Sequence, residues 1–166
     1  PLPGAILPTD ERIVDAIAKY APLLTTTVVD HLFQRYGARA LELLTLVDKS
    51  PELAEPIVPG LPDIKAQIVY AIRTEMAHTF GDICRRRTML SLQANYGMDA
   101  LDAIAQTLQT YCDWTEQDCE RAIANYKRLM AENCIPDYAL DKVLGPQPET
   151  NSTKPASEVA PQLAVG

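Results

Sequence analysis

Residues 64–88 read IKAQIVYAIRTEMAHTFGDICRRRT, and this stretch decides the fold because its apolar spacing is helical for longer than anywhere else in the chain. An apolar stripe recurs every three or four positions, which is the period of one face of an α-helix. The stripe consists of Ile64, Ile68, Ile72, Met76, Thr79 and Ile83. The sequence therefore predicts one continuous helix from about residue 64 to residue 86.

A line of polar residues runs beside this stripe. Glu75, Thr79, Asp82 and Arg86 follow one another at spacings of four, three and four, so a helix would place them on one face. Asp82 and Arg86 are then a natural i,i+4 ion pair. Glu75 lies within the arc of the stripe, and a partly buried carboxylate needs a cationic or hydrogen-bonding partner. The candidate partners are Arg73, Arg86, Arg87 and a tyrosine hydroxyl.

Three interpretations of this stretch remain open. In the first, Glu75 and Asp82 anchor arginines that lock helices together. In the second, the Glu75-x-x-His78 spacing is half of a di-iron site, which needs a second such pair that His31 does not supply. In the third, the run of three arginines at 85–87 binds phosphate or a partner, because guanidinium groups match the geometry of such anions.

Two of the arginines, Arg86 and Arg87, are the candidates for an interdomain or anion contact. Neighbours on a helix lie about 100° apart, so these two cannot both face the line of Glu75 and Asp82. Arg86 is in register with Asp82 and is assigned the intramolecular pair. Arg87 is then expected to be the freer guanidinium.

The rest of the chain is also helical in its periodicity, and it predicts an all-α fold, an irregular bundle of about five to six helices. Helices are expected after Asp10, over 26–36 and 38–48, around Leu101, and after Thr115. Asp63 and Thr115 are expected to cap the helices that follow them. Proline clusters then divide the chain into a linker at 1–8, a helical domain at 9–144 and a flexible tail at 145–166.

Composition excludes several classes of function. The net charge is −7, which argues against a general nucleic-acid or anionic-membrane binder. No apolar run approaches the roughly 20 residues that span a bilayer, and no secretion signal is visible, so a cytoplasmic location is expected. The four cysteines form no C-x-x-C pair and are expected to be buried free thiols, although Cys112 and Cys119 flank a turn and could approach each other.

The glycines are too scattered for a dinucleotide fingerprint or a P-loop, both of which need glycines at fixed short spacing. They stand at Gly4, Gly37, Gly60, Gly81, Gly97, Gly145 and Gly166. We therefore expect no FAD, NAD or ATP site, no metal site and no catalytic residue in this chain.

Two motifs resemble a known family. The segment His31-Leu32-x3-Tyr36-Gly37 and the stretch Tyr70-x4-Glu75-x-Ala77-x4-Asp82-x3-Arg86-Arg87-Thr88-x-Leu90 resemble the C-terminal domain of flavin-dependent glycerol-3-phosphate dehydrogenases and glycerol-phosphate oxidases. Trp114 before a polar helix start resembles the next landmark of that family. The sequence departs from the pattern at Cys84, Arg85 and Met89, where the family usually has small, apolar or basic residues.

The resemblance implies an accessory helical domain of a flavoprotein oxidoreductase of glycerol metabolism. The parent enzyme would oxidise glycerol 3-phosphate to dihydroxyacetone phosphate with FAD, and pass electrons to quinone or to oxygen. FAD would bind in the N-terminal domain of the same chain, which is the expected partner beside a homo-oligomer. The parent would be cytoplasmic or peripheral at the inner face of the cytoplasmic membrane. The alternative is a free-standing α-helical protein-interaction module.

Overall fold

A computed structural model describes residue 5 and residues 10–146, and within them the fold is all-α, as the sequence predicts. Those residues form eight α-helical segments and no strand beyond a single antiparallel bridge between Pro56 and Ile64. The helices are α1 Glu11–Tyr20, α2 Thr26–Tyr36, α3 Ala40–Lys49, α4 Lys65–Thr74, α5 Phe80–Asp82, α6 Leu101–Tyr111, α7 Glu116–Asn133 and α8 Leu140–Leu144.

Side-chain caps fix where α1, α2 and α7 begin. Asp10 accepts from the backbone N–H of Arg12 at the start of α1. Thr25 does the same for α2, and Thr115 accepts from the N–H of Asp118 at the start of α7, as the sequence predicts. Each cap satisfies an N–H group that has no partner inside its helix.

The prediction that Asp63 caps α4 is wrong. Ile64 occupies the cap position, and the Gln67 side chain accepts from its backbone N–H at 2.7 Å. The Asp63 carboxylate instead lies 4% exposed against His31 and Gln67. Because these two donors already satisfy it in the interior, the carboxylate is not free to bond the first turn of α4.

The continuous helix predicted over residues 64–86 is also wrong, which is one reason why the helices outnumber the expected five to six. Helix α4 ends at Thr74, and Met76 has the left-handed backbone angle φ 56° that no α-helix continues through. Thr79 then starts α5 through a reciprocal capping box with Asp82. The chain goes on as a π-helix, Ile83–Arg87, which the N–H of Thr88 closes by bonding the carbonyl of Ile83 at 2.9 Å.

The buried side chains form two apolar clusters that meet at α4. The first joins α1, α2 and α3 and includes Leu32 and Leu44, and the second joins α5, α6 and α7 and includes Ile104. Helix α4 lies between the clusters because Val69 points into the first and Ile68 into the second. This sharing explains why α4 has no polar face of its own.

Several further expectations concern the ends of the chain and its thiols. The four cysteines are free thiols, and two of them, Cys84 and Cys119, are buried. No helix in the described part of the chain is long and apolar enough to cross a membrane. The expected linker at 1–8 and tail at 145–166 lie outside the described residues, apart from Ala5, Gly145 and Pro146.

Candidate functional site

The arginine turn at residues 85–87 points its side chains in different directions. The π-helix that carries it turns more slowly per residue than an α-helix, so the register expected from a 3.6-residue period does not apply. The Arg86 side chain is 74% exposed, whereas that of Arg87 is 34% exposed and turned towards the protein. Arg85 is exposed on the same short turn.

Arg87 fastens this turn to the end of α4. Its Nη2 donates to the backbone carbonyl of Glu75 at 2.8 Å, and its Nε lies 3.1 Å from Glu75 Oε2. Those two facing atoms are buried and lack the angle of a hydrogen bond, so their attraction is Coulombic. Because the Glu75 carboxylate is only 18% exposed, loss of Arg87 would leave a partly buried charge without its counterion.

The backbone of Arg87 is held as well as its side chain. Its carbonyl oxygen accepts from Arg35 Nε and from the Tyr36 hydroxyl, both at 3.2 Å. Tyr36 also accepts from Gln67 Nε2 at 3.3 Å, which connects the turn to α4. Burial raises the pKa of Tyr36 to about 12, so the hydroxyl stays neutral and keeps its proton for this bond.

A buried carboxylate ends this hydrogen-bond network. Asp63 Oδ1 accepts from Gln67 Nε2 at 3.0 Å and lies 3.1 Å from His31 Nε2. Burial raises the pKa of Asp63, but the hydrogen bonds from His31 and Gln67 outweigh burial and leave it below its ordinary value. The His31 motif of the sequence therefore serves to hold α2 against the residues that precede α4.

Arg86 makes a looser contact than Arg87. Its Nη1 donates to Asp82 Oδ1 at 2.8 Å, and the same carboxylate accepts from the backbone N–H groups of His78 and Thr79. Burial raises the pKa of Asp82, but these backbone bonds and the hydroxyl of Thr79 lower it by more. The pKa of Asp82 therefore lies below its ordinary value. Since the arginine is mostly in solvent, the pair itself contributes under about 1 kcal/mol.

The predicted pair of Asp82 with Arg86 is present, but the prediction that Arg87 is the freer guanidinium is wrong. Arg87 faces the protein and Arg86 faces solvent. The reason is that a π-helix has more residues per turn than an α-helix, so the directions expected from an α-helix do not apply. The predicted polar line of Glu75, Asp82 and Arg86 is also broken, since Glu75 lies before the left-handed residue Met76 and pairs with Arg87. The Thr79-x-x-Asp82 capping signature is the sequence signal that could have located the new helix start.

Exposed apolar side chains surround the arginine turn, and the sequence interpretation missed them. Met76 is 78% exposed, Met89 46% and Leu92 70%. The apolar stripe predicted from the sequence includes Met76, and the left-handed turn that ends α4 is what turns this side chain to solvent. Leu90, between the other two, is fully buried and anchors their turn to the core.

The described residues fit neither a metal ion nor FAD. They contain no group of three or more His, Cys, Asp or Glu side chains that could hold a metal, and Glu75 is already engaged by Arg87. The glycines among them stand far apart in the chain, with Gly81 inside α5, so they form no glycine-rich loop whose backbone could approach a pyrophosphate. The arrangement offers exposed arginine and methionine side chains that can contact a protein surface.

Comparison with known proteins gives a consistent result. Residues 1–119 match the family described as the C-terminal domain of alpha-glycerophosphate oxidase. The chain is 50% identical over 142 residues to a glycerol-3-phosphate dehydrogenase of Synechocystis, a match that covers 84% of this chain and 25% of that protein. It is 32% identical over 106 residues to glycerol-3-phosphate dehydrogenase 2 of Mycobacterium bovis and to a glycerol-3-phosphate dehydrogenase of Mycobacterium leprae, covering 63% of this chain and 18% of each of those proteins.

No solved structure matches the chain. The chain spans only a quarter of the Synechocystis protein, and it aligns with the part of such proteins that follows their larger remainder. The family match extends over the arginine turn and the His31 motif, which belong to the site described above, and also over Trp114. The chain therefore belongs to the family of C-terminal domains of alpha-glycerophosphate oxidase.

Proposed function

We propose that this chain works as the non-catalytic accessory domain of a flavin-dependent glycerol-3-phosphate dehydrogenase, with residues 9–144 as the domain. The observation that carries the proposal is the 50% identity, over most of this chain, to one quarter of a protein of that name. We call the longer protein that would contain this domain the intact enzyme.

The intact enzyme would oxidise glycerol 3-phosphate to dihydroxyacetone phosphate. FAD would accept the hydride in the N-terminal remainder, because the described residues of this chain fit no flavin. The charged groups at the candidate site support this division of labour. Glu75, Asp63 and Asp82 each contact a partner side chain inside the domain, so they are already engaged and are not free acids or bases for a substrate.

Arg86, and not Arg87, is now the better candidate for the interdomain contact. Arg87 is bound to Glu75 inside the domain, whereas Arg86 presents most of its side chain to solvent. The intact enzyme would be cytoplasmic, or peripheral at the inner face of the cytoplasmic membrane. A contact between this domain and the flavin domain would leave any membrane attachment to the remainder.

The test is dye reduction driven by glycerol 3-phosphate, measured with the intact enzyme and with the 166-residue chain side by side. The proposal predicts substrate-dependent reduction by the intact enzyme and none above the buffer rate by the chain. Reduction by the chain alone would overturn the non-catalytic role. An intact protein that folds, carries flavin and leaves glycerol 3-phosphate untouched would overturn the substrate.

A further inference from the structure

We propose that Met76, Arg85, Arg86, Met89 and Leu92 form the docking face of this domain for the N-terminal remainder of the intact enzyme. We call these five residues the Met–Arg face. The inference rests on the proposed function and adds the surface through which the two parts meet. It assigns to the remainder an apolar patch bordered by carboxylates.

The apolar part of the face consists of side chains that the fold turns outward. Met76, Met89 and Leu92 are among the most exposed large apolar residues of the described chain. Grouped apolar exposure on a protein surface marks an interaction site more often than single exposed residues do. Methionine and arginine are also enriched at the cores of interfaces, where flexible thioethers adapt to the partner's shape.

Two contacts bring parts of the Met–Arg face close together. Arg87 bonds the carbonyl of Glu75, so the segment that carries Met76 lies directly beside the end of the arginine turn. The N–H of Leu92 bonds the carbonyl of Met89 at 3.0 Å, which closes a single 3-10 turn. Residues i and i+3 of such a turn eclipse each other, so Met89 and Leu92 share a face.

The backbone at this face is held in rare conformations. Met76 has φ 56°, where a residue with a β-carbon costs about 1–2 kcal/mol relative to the right-handed region. The neighbouring π-helix, Ile83–Arg87, is likewise a rare element that is found mainly at functional sites. A glycine would be less strained at position 76, so a methionine at this position points to a use for its exposed side chain.

The charge of the face is opposite to that of the molecule. The chain carries a net charge of −7, yet three arginines stand in a row at 85–87. Arg85 forms no ion pair with the described residues, and Arg86 bonds only Asp82 while 74% exposed. Such charges steer and orient an acidic partner.

The charge of the Met–Arg face also distinguishes between the possible binding partners. A second copy of the chain would place this face against itself across a two-fold axis, and the arginines would then repel one another. An anionic membrane would be repelled by the remaining acidic surface of the domain. The remainder of the intact enzyme, which is three times longer than this part in the Synechocystis relative, is the occupant that neither argument disfavours.

The test measures how fast single cysteines react with a maleimide, followed peptide by peptide by mass spectrometry so that native thiols do not interfere. Met76→Cys and Leu92→Cys probe the face. Val14→Cys is the matched control, since Val14 is 62% exposed on α1, a helix that contributes no residue to the Met–Arg face. Each variant is labelled in the 166-residue chain and in the intact enzyme, after circular dichroism has shown that it is folded.

We expect both probes on the face to react about tenfold or more slowly in the intact enzyme than in the chain, because the core of an interface excludes reagent. The control at position 14 should change by less than about twofold. Equal rates at the face in both proteins would overturn the proposal, as would equal protection at all three positions. Protection in the chain that rises with protein concentration, or that needs phosphatidylglycerol vesicles, would overturn it in favour of a second copy or a membrane.

The same samples separate this inference from the proposed function. Dye reduction with glycerol 3-phosphate is measured on the unlabelled intact enzyme. Oxidation of the substrate together with an unprotected face overturns the docking face alone. A protected face without oxidation upholds the docking face and overturns the substrate instead.

Discussion

At the scale of single residues, the neighbouring arginines Arg86 and Arg87 differ in the groups that they contact. Arg87 binds the side chain and the carbonyl of Glu75, and its own carbonyl is held by Arg35 and Tyr36. Arg86 binds one carboxylate at the surface. A contact between residues that are close in the sequence, such as Asp82 and Arg86, can be predicted from their sequence spacing. The pairs of Glu75 with Arg87 and of His31 with Asp63 cannot, because they depend on how distant segments fold back.

The arginines should therefore differ in their contribution to stability. Arg87→Ala removes a charged hydrogen bond and strands a partly buried carboxylate, at a cost of about 2–3 kcal/mol. Arg86→Ala should cost under about 1 kcal/mol, because that pair is solvent-exposed on the arginine side. Urea unfolding of the 166-residue chain and the two variants measures both. Equal midpoints for the two variants would contradict the assignment of Arg87 as the internal residue.

The buried carboxylate Asp63 should make the free energy of unfolding depend on pH in the acid range. Its pKa is lowered in the folded state, despite burial, by His31 and Gln67, so its ionised form stabilises the fold above the unfolded value of about 4. That stabilisation is lost as the pH falls through the lowered folded pKa. Asp63→Asn should cost about 2 kcal/mol at pH 7 and flatten the loss of stability below about pH 4.

The measurement for Asp63 is urea unfolding at a series of pH values from neutral to acid. Asp102→Asn is the control, because Asp102 is an exposed residue in the first turn of α6. The control should keep the acid dependence of the wild-type chain. If both variants follow the wild-type curve at low pH, Asp63 does not carry the effect.

At the scale of elements, the sequence predicts α2 with the bounds that the structure has, Thr26–Tyr36, and it fails at the end of α4. Helical periodicity alone hides the break, because apolar residues recur at the expected spacing on both sides of it. Ile72 and Ile83 are in register by count, yet the helix ends between them and Met76 has a left-handed backbone angle. Local capping chemistry at Thr79 was the competing signal, and it determines where the helix restarts.

The strain at this break gives a prediction about Met76. Met76→Gly relieves the cost of a left-handed backbone, partly offset by the greater entropy of glycine in the unfolded chain. We expect a net gain of about 0.5–1 kcal/mol, or a melting temperature about 1–4 °C higher, for the 166-residue chain. Asp113→Gly, at another exposed position with φ 56°, is the matched comparison and should gain a similar amount. A clear loss of stability in Met76→Gly alone would show that the side chain stabilises the isolated domain.

At the scale of the whole molecule, two apolar clusters share α4 and should unfold together. Leu32→Ala lies in the first cluster and Ile104→Ala in the second, and both residues are fully buried. Each substitution should cost about 2–5 kcal/mol. Trp114 packs on Phe80 in the second cluster, so its fluorescence reports that half, while circular dichroism reports all helices.

The two signals should follow one transition in both variants. Leu32→Ala should move the Trp114 transition as far as the dichroism transition, because α4 transmits the loss from one cluster to the other. A Trp114 transition that stays at the wild-type midpoint while the dichroism transition shifts would mean that the clusters unfold as separate units.

The central claim is that this domain serves a flavoenzyme without a flavin site of its own. The measurement is to insert a protease site ahead of residue 9 in the intact enzyme, cleave it, and separate the fragments under native conditions in a dissociating salt. The account predicts that flavin absorbance stays with the N-terminal fragment and that the fragment with the helical domain is colourless. Flavin that remains bound to the helical fragment would contradict it.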